Sequence, residues 1–297
     1  MSWLLYRWAW RLEAPLAIGL PPSGSLNRCR LYVPARNLWG ALTAEVAQRQ
    51  ATGFPDYPKV GEEVRNDARL TYLFPAEKTD GGWRAWLPRY ESGKGLVWQR
   101  EDDANGEKWR PDRELRQRLL LARPGTAIEP ASDTAADGTL RETECIGQYW
   151  RDRATDEVKS VALVGYVFVR QSSDLAGALK TVNELFLGGD ARYGLGRVRR
   201  LRCVGWDAAS EVFGDTVDLA GQEPSLRAGR VLAHARVSVD GAMLGQLEAL
   251  GGWDRAKGSG FEPLAAGPLW APGSSALDPT TFWSIKKDGL WQPAGGA

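Results

Sequence analysis

Residues 161–169 read VALVGYVFV, and a segment with helical periodicity follows them. A nearly continuous apolar run that is rich in valine and aromatic residues is typical of a strand buried on both faces. In the segment that follows, one face is shared by Leu175, Leu179, Val182 and Leu185. Ser173 or Asp174 is suited to cap the N-terminus. The pattern predicts a central strand and then a helix that packs on its sheet.

The preceding residues predict a similar arrangement of strands and helices. Residues 3–12 alternate as a strand, and Pro34 opens an amphipathic helix over residues 36–50. Residues 115–121 are apolar and suit either a helix or a strand. Further strands are predicted at 71–74, 83–87, 143–150 and 197–204. The order strand, helix, strands, helix, strand predicts an α+β protein with a ferredoxin-like, or RRM-like, βαββαβ core.

The last part of the chain has a different character. Residues 207–223 contain five acidic residues and no lysine or arginine, which indicates an exposed connection. Beyond it, residues 230–239 alternate as a strand, and residues 282–291 predict a hairpin with Asp288-Gly289 as its turn. We therefore divide the chain into residues 1–205, which carry the βαββαβ core, and a β-rich extension or second subdomain, 206–297.

The bulk composition narrows the classes of function. The 297 residues carry a formal net charge of +1, so a nucleic-acid site must be a local patch. Cys29, Cys145 and Cys203 lie far apart and the chain has one histidine, which predicts buried, reduced thiols and no metal site. Because no apolar run is long enough to cross a bilayer, we expect a cytoplasmic protein with no membrane partner. Gly194-x-Gly196 is too short for a Rossmann fingerprint and lacks the G-K-S/T of a P-loop, and no cofactor is expected.

A glycine-rich loop lies between the second predicted helix and the strand that follows it. Residues 188–197 read GGDARYGLGR, with four glycines, two arginines and one acid, and three more arginines follow at 199, 200 and 202. Glycines let backbone N–H groups approach an anion, and arginines bind phosphate in a bidentate manner. A plain glycine-rich turn with a solvated basic strand is the alternative. The candidate RNA-binding residues here are Gly188, Gly189, Arg192, Tyr193, Gly194, Gly196, Arg197 and Arg199.

A second basic segment is the first loop, which connects the predicted strand 3–12 to the predicted helix 36–50. No acid occurs between Glu13 and Glu45. The loop offers donors to phosphate and ribose oxygens, and the helix N-terminus adds a partial positive charge. A plain loop that caps a helix is equally consistent. The candidate residues are Gly24, Ser25, Asn27, Arg28, Arg30 and Arg36.

Three segments in this order resemble the RAMP superfamily of CRISPR-associated proteins over residues 3–205. Residues 32–42, YVPARNLWGAL, are similar to the opening loop and helix of that family, with Ala35 where the family often has glycine. Residues 125–144 contain GTAIE, ADGTL and Glu144, and they resemble the family's thumb, a hairpin with a long polar turn. Residues 187–198, LGGDARYGLGRV, resemble its glycine-rich loop.

This resemblance implies a non-catalytic subunit of a type III CRISPR effector complex, a ribonucleoprotein of antiviral defence. The two loops would grip phosphates of the guide crRNA, and the thumb would wedge between bases or against a neighbouring subunit. Its partners would be the guide crRNA, target RNA and other effector subunits. The leading hypothesis is that it holds the repeat-derived handle and caps the backbone filament. The alternatives are a backbone subunit along the guide–target duplex and a guide-processing endoribonuclease.

The residues that catalysis would need are scarce. Family members that cut target RNA carry an aspartate in the first loop, whereas residues 14–44 contain no acid. Guide-processing members mostly use a histidine, and the single histidine here, His234, falls in a predicted strand, where a structural role is expected. Asp102, Asp103, Asp133 and Asp137 lie in polar segments that predict solvated surface charge. We therefore expect no enzymatic activity.

Overall fold

The computed structural model describes residues 2–151, 158–201, 209–236, 243–253, 261–263 and 267–294. Within these ranges the α-helices are α1 (Ala35–Gln50), α2 (Tyr57–Asp67), α3 (Asp112–Leu119) and α4 (Leu175–Thr181), and a single 3₁₀ turn spans Ala191–Tyr193. No helix in the described residues combines the length and hydropathy that a membrane span requires.

Strands make up most of the remaining regular structure. Up to residue 151 they are β1 (Trp3–Leu12), β2 (Leu26–Asn27), β3 (Ala68–Leu70), β4 (Phe74–Thr79), β5 (Gly82–Glu91), β6 (Gly95–Arg100), β7 (Trp109–Pro111), β8 (Leu120–Gly125), β9 (Ile128–Glu129), β10 (Thr134–Ala135), β11 (Arg141–Ile146) and β12 (Tyr149–Trp150). Between residues 158 and 201 they are β13 (Lys159–Ser160), β14 (Ala162–Arg170), β15 (Glu184–Phe186) and β16 (Arg197–Arg200).

The main sheet has nine strands in the order β15-β16-β1-β14-β4-β5-β6-β7, and β3 also pairs with β14. Its centre is the antiparallel pair of β1 and β14, in register from Trp3 opposite Arg170 to Arg11 opposite Ala162. Every residue from 161 to 169 is buried, so the predicted central strand is confirmed.

Three helices form a layer against this sheet. Helix α1 contacts α2 and α4 as well as β3 and β15. Its buried face is formed by Leu38, Leu42 and Val46, at the i, i+4, i+8 spacing of an amphipathic helix. The helix predicted over 36–50 is therefore confirmed. The helix predicted after residue 174 is confirmed at its start, where Ser173 Oγ accepts the Leu175 N–H at 3.2 Å. It ends at Thr181, so the assignment of Leu185 to its face is wrong, because Leu185 lies in β15.

The opposite face of β1 and β14 is covered by the chain beyond residue 209. The Phe213 ring lies edge-on to Tyr166, with ring centroids 4.9 Å apart, and edge-on to Phe74 at 5.7 Å. Both faces of the central strands are thereby removed from water, which explains why β14 carries an almost unbroken apolar sequence.

Some predicted boundaries were wrong, for identifiable reasons. The ambiguous segment 115–121 contains the end of α3 and the start of β8, because α3 ends at Leu119. The strand predicted over 71–74 begins only at Phe74. Ahead of it, Thr71 Oγ1 accepts the Tyr166 N–H at 2.8 Å, so a side chain takes the place of a backbone carbonyl and interrupts the ladder.

The C-terminal residues form a smaller sheet and several short hairpins. The strands of this region in the described residues are β17 (Glu211–Val212), β18 (Asp215–Asp218), β19 (Ser225–Arg227), β20 (Met243–Leu244), β21 (Leu247–Glu248), β22 (Gly251–Trp253), β23 (Phe261–Pro263), β24 (Leu269–Trp270), β25 (Ser275–Ala276), β26 (Phe282–Ile285) and β27 (Trp291–Pro293). Five of them form one sheet in the order β17-β18-β19-β26-β27, and the other six form three two-stranded pairs.

Two predictions for this region had different outcomes. The closing hairpin over 282–291 is confirmed, with Gly289 at φ +76° in its turn. The strand predicted over 230–239 is wrong in its described part, since residues 230–236 make only isolated bridges at Arg230 and Ala235. Residues 237–239 lie outside the described residues, as do residues 202–204 of the strand predicted over 197–204. The boundary placed at 205/206 lies outside them too, and the division into two domains stays a prediction.

Candidate nucleic-acid interface

The two loops singled out in the sequence lie side by side. Gly189 N–H donates to the carbonyl oxygen of Ala17 at 2.9 Å, and Gly196 N–H donates to that of Pro15 at 2.8 Å. The glycine-rich loop (residues 187–197) is thus bonded along the start of the first loop (residues 13–34). These loops are far apart in the sequence, and the fold joins them into one surface.

The thumb (residues 120–146) joins the same surface. Strand β11 pairs in parallel with β2 of the first loop and antiparallel with β8, and β9 pairs with β10 farther along the hairpin. The Glu144 carboxylate accepts the Cys29 N–H at 2.9 Å, and the Arg141 guanidinium lies 5.2 Å above the centre of the Tyr193 ring. The thumb therefore contacts both loops.

Positive φ angles shape the glycine-rich loop. Gly188, Gly194 and Gly196 have φ values of +76°, +80° and +81°. A β-carbon on Gly188 would lie 2.2 Å from the carbonyl oxygen of Ala17, so only glycine allows the loops to approach this closely. Asp190 is also left-handed, at φ +57°, and the turn that follows it leaves Arg192 exposed.

Most of the predicted arginines face solvent on this surface. Arg28 and Arg192 are exposed, and in the part of the chain that the structure describes neither forms an ion pair. Arg197 and Arg199 project from the exposed side of β16, where Arg197 pairs with Glu184 at 2.7 Å. Exposed ion pairs contribute about 1 kcal/mol at most, so a phosphate can displace Glu184.

The remaining predicted residues of the first loop and helix α1 differ in their exposure to solvent. Gly24, Ser25 and Asn27 are exposed in the turn at the first loop's tip, and Gly24 has φ +61°. Arg36 is half-buried, with its side chain against Gly252 of the C-terminal region. Arg30 is 6% exposed, so its assignment to the RNA-binding surface is corrected.

Arg30 belongs instead to a buried polar network. Its guanidinium pairs with Glu248 at 2.9 Å and also donates to the carbonyl of Gly19. His234, which is fully buried, donates from Nε2 to Glu248 and accepts at Nδ1 from the Tyr72 hydroxyl at 2.6 Å. This network joins the first loop to the C-terminal region.

Burial and charge set the protonation states in this network. Burial lowers the pKa of His234, so its imidazole is neutral at pH 7. Burial acts to raise the pKa of Glu248, but the hydrogen bond from His234 and the charge of Arg30 outweigh it and lower that pKa to about 2. His234 is thus fully buried, with both ring nitrogens hydrogen-bonded inside this network.

Among the other groups considered for catalysis or metal binding, Asp133 and Asp137 are exposed, and the remainder in the described residues are engaged or enclosed. Asp102 pairs with Arg100 at 2.7 Å, and Asp103 accepts the Glu107 N–H at 2.9 Å, so both stabilise a polar loop. Burial raises the pKa of Cys29 to about 12 and that of Cys145 to about 11, while Cys203 lies outside the described residues. Across the described ranges, no group of three or more His, Cys, Asp or Glu residues is arranged to hold a metal ion.

Sequence reasoning missed other residues of this surface. Phe186 on β15 is 51% exposed, and Arg11, Arg123 and Arg141 add positive charge from β1 and the thumb. The alternation of residues 184–187, ELFL, is a signal that could have revealed Phe186, since its neighbours Leu185 and Leu187 are buried.

Similarity to known proteins is found at the level of the three-dimensional structure. No family model and no curated protein matches this chain. Among the solved structures that are similar to it, two match it over most of its length. One is a chain of the type III-B Cmr-beta bound to cognate target RNA and AMPPnP, with TM-score 0.53, 13% identity, and coverage of 91% of this chain and 85% of that one.

The other is a chain of the type III-B Cmr-beta bound to cognate target RNA. Its TM-score is 0.52 at 12% identity, and the match covers 91% of this chain and 86% of that one. At this low sequence identity, the similarity between this chain and the two Cmr-beta chains is a similarity of fold. It accompanies a surface formed by the glycine-rich loop, the first loop and the thumb.

Proposed function

We propose that this chain is a non-catalytic crRNA-binding subunit of a type III CRISPR effector complex. In this proposal it holds the repeat-derived handle of the guide and caps the backbone filament, with target RNA and other effector subunits as its partners. The observation that carries the proposal is the convergence of both loops and the thumb on one arginine-bearing surface. The fold shared with chains of RNA-bound Cmr-beta complexes supports it.

The strand order supports a ferredoxin-like core for this subunit. Within the main sheet, β16, β1, β14 and β3 are neighbours in that order. Numbered along a βαββαβ unit formed with α1 and α4, they give the order 4-1-3-2 with antiparallel neighbours. This is the arrangement expected for an RRM-like fold. Because the chain beyond residue 209 covers the central strands, the loops and the β15–β16 edge are the parts proposed to meet single-stranded RNA.

The absence of catalysis is part of the proposal. His234 is enclosed and its two ring nitrogens are engaged by Glu248 and Tyr72, so it has no access to an RNA 2′-hydroxyl. The first loop presents donors and arginines with no carboxylate between residues 14 and 44. A surface of this composition binds phosphates, because charge-assisted hydrogen bonds from arginine are suited to them.

Salt dependence of RNA binding tests the phosphate contacts. Arg192→Glu combined with Arg197→Glu should weaken binding of a guide crRNA. It should also reduce the steepness of log K against log salt by about 1.4, since each lost single-strand phosphate contact contributes about 0.7. The measurement is fluorescence anisotropy between low and moderate salt.

A charge-matched control separates local from global effects. Lys78→Glu combined with Arg227→Glu makes the same change in net charge at two exposed positions, on β4 and β19. This control should keep the wild-type slope. If both double variants behave alike, or if the wild-type protein binds no RNA, the proposed function is wrong.

A further inference from the structure

Phe186 is an exposed aromatic residue beside the glycine-rich loop. It lies on β15, the terminal strand of the main sheet in the described chain, and its side chain is 51% exposed. The next residues on either side, Leu185 and Leu187, are fully buried. Phe186 is therefore directed outward by the alternation of the strand, and its ring is not part of the core.

The face around Phe186 is basic. In the antiparallel pairing Phe186 is directly opposite Arg197, and Glu184 is opposite Arg199. On the next strand Arg199 is opposite Arg11. Directly opposite residues project from the same face of a sheet, so one aromatic ring, three arginines and Glu184 share a continuous patch. Glu13 adds a second carboxylate, which pairs with Arg11 at 2.6 Å and lies 4.0 Å from Arg199. The three arginines still outnumber these two carboxylates.

An exposed phenylalanine on a terminal strand is unfavourable without a partner. Such a strand has unpaired backbone groups, and an apolar side chain on it favours association with other strands. The charge around Phe186 indicates which partner is suitable. Arginines that bind phosphate next to an aromatic face match a nucleotide, which combines a charged backbone with a flat base.

We propose that Phe186 is a stacking platform for one base of single-stranded RNA, whose adjoining phosphates are bound by Arg197 and Arg199. This inference rests on the proposed function and specifies its ligand at this position as an unpaired nucleotide. Glu184, which pairs with both arginines in the free protein at 2.7 and 3.7 Å, is displaced when phosphate binds.

The test compares Phe186→Ala with Phe186→Tyr in the full-length chain. The probe is a fluorescent twelve-nucleotide oligoadenylate, with inorganic polyphosphate as a ligand that has charge but no bases. Phe186→Ala should bind the oligonucleotide about tenfold more weakly, as expected for loss of one stacked base, and Phe186→Tyr should bind it as the wild type does. The salt slope and the affinity for polyphosphate should not change.

The chain contains a closely matched control. Phe282 on β26 is 50% exposed and is directly opposite Arg227 in the C-terminal sheet. Phe282→Ala removes an aromatic ring with the same exposure beside an arginine, and oligonucleotide affinity should stay at the wild-type value.

Failure of this inference can be told from failure of the proposed function. If Phe186→Ala keeps wild-type affinity while the Arg192→Glu and Arg197→Glu variant loses it, stacking is wrong and phosphate binding stands. Equal losses of oligonucleotide and polyphosphate binding would also overturn stacking. If Phe186→Ala alters only association with another protein, the patch is a subunit interface. Absence of any oligonucleotide binding by the wild type would refute both.

Discussion

Two arginines of the first loop, Arg28 and Arg30, are close in sequence but differ in their exposure to solvent. Arg28 is exposed, whereas Arg30 turns inward to Glu248. A buried charge is tolerated only when it is paired and hydrogen-bonded, and Arg30 has both the carboxylate of Glu248 and the carbonyl of Gly19. The consequence is a first loop fixed at its base by the C-terminal region, with an exposed tip that is bonded to the thumb through Ser25 and β2.

Stability should depend on pH through Glu248. Its pKa is lowered in the folded state from 4.5 to about 2, so the unfolded chain binds a proton more readily between these values. The contribution of Glu248 is therefore fully present above about pH 4.5 and is lost as the pH falls towards 2. Glu248→Gln should be about 2–3 kcal/mol less stable than wild type at pH 7, because Arg30 loses its counter-charge.

Urea unfolding at a series of pH values measures this difference in the free energy of unfolding. The gap between wild type and Glu248→Gln should narrow as the pH is lowered from 4.5 to 2. Asp288→Asn is a suitable control, since Asp288 pairs with Arg236 at a more exposed position. A gap for Glu248→Gln that stays constant over the whole range would show that its charge is not involved.

At the scale of elements, the glycine-rich loop combines two different requirements for glycine. Gly194 and Gly196 have nearly the same φ, +80° and +81°. A β-carbon on Gly194 would meet nothing within 4 Å, whereas one on Gly196 would lie 2.0 Å from the carbonyl oxygen of Leu187. Gly194 is needed for its backbone angle alone, and Gly196 also for the close packing of the strand on the loop.

Alanine substitutions should separate these two requirements. Gly194→Ala should lower stability by about 1 kcal/mol, the cost of a left-handed alanine. Gly196→Ala should cost at least about 3 kcal/mol, because the backbone of the loop must shift as well. Denaturant unfolding of both variants gives the comparison. Equal losses would indicate that the loop relaxes freely and is not held against Pro15 and Ala17.

At the scale of the whole molecule, the C-terminal region packs into the core of the main sheet. One contiguous hydrophobic cluster includes Trp8 and Trp10 of β1 together with Leu226 and Trp291. The turn at Gly289 lies against the first residue of α1, where a β-carbon would come within 2.2 Å of the Ala35 β-carbon. The two regions therefore share apolar contacts that a separate domain would lack.

We accordingly expect a single unfolding transition. Leu226→Ala, at a fully buried position in β19, should lower stability by about 2–4 kcal/mol and shift the far-ultraviolet and tryptophan fluorescence transitions together. The control Leu277→Ala, at a position 72% exposed in the same region, should change stability by less than about 0.5 kcal/mol. Separate transitions in the Leu226→Ala variant would instead favour an independently folding C-terminal domain.

Periodicity was sufficient to predict β1, α1, β14 and α4, because the apolar pattern of each reflects its own burial. Glycines and arginines in a short segment were likewise enough to predict a basic, sharply turned loop. The tryptophans were not interpretable in this way. Among the tryptophans whose side-chain burial the structure describes, none belongs to the exposed large apolar side chains. Trp8, Trp10, Trp98 and Trp291 are almost fully enclosed.

Which arginines face solvent depended on contacts between distant parts of the chain. Local sequence cannot separate Arg28 from Arg30, because the carboxylate that draws Arg30 inward is 218 residues away. The same holds for the meeting of the first loop, thumb and glycine-rich loop, since backbone hydrogen bonds across strands have no trace in composition. Local patterns specify what a segment can form, and long-range pairing specifies which of its side chains remain available for a ligand.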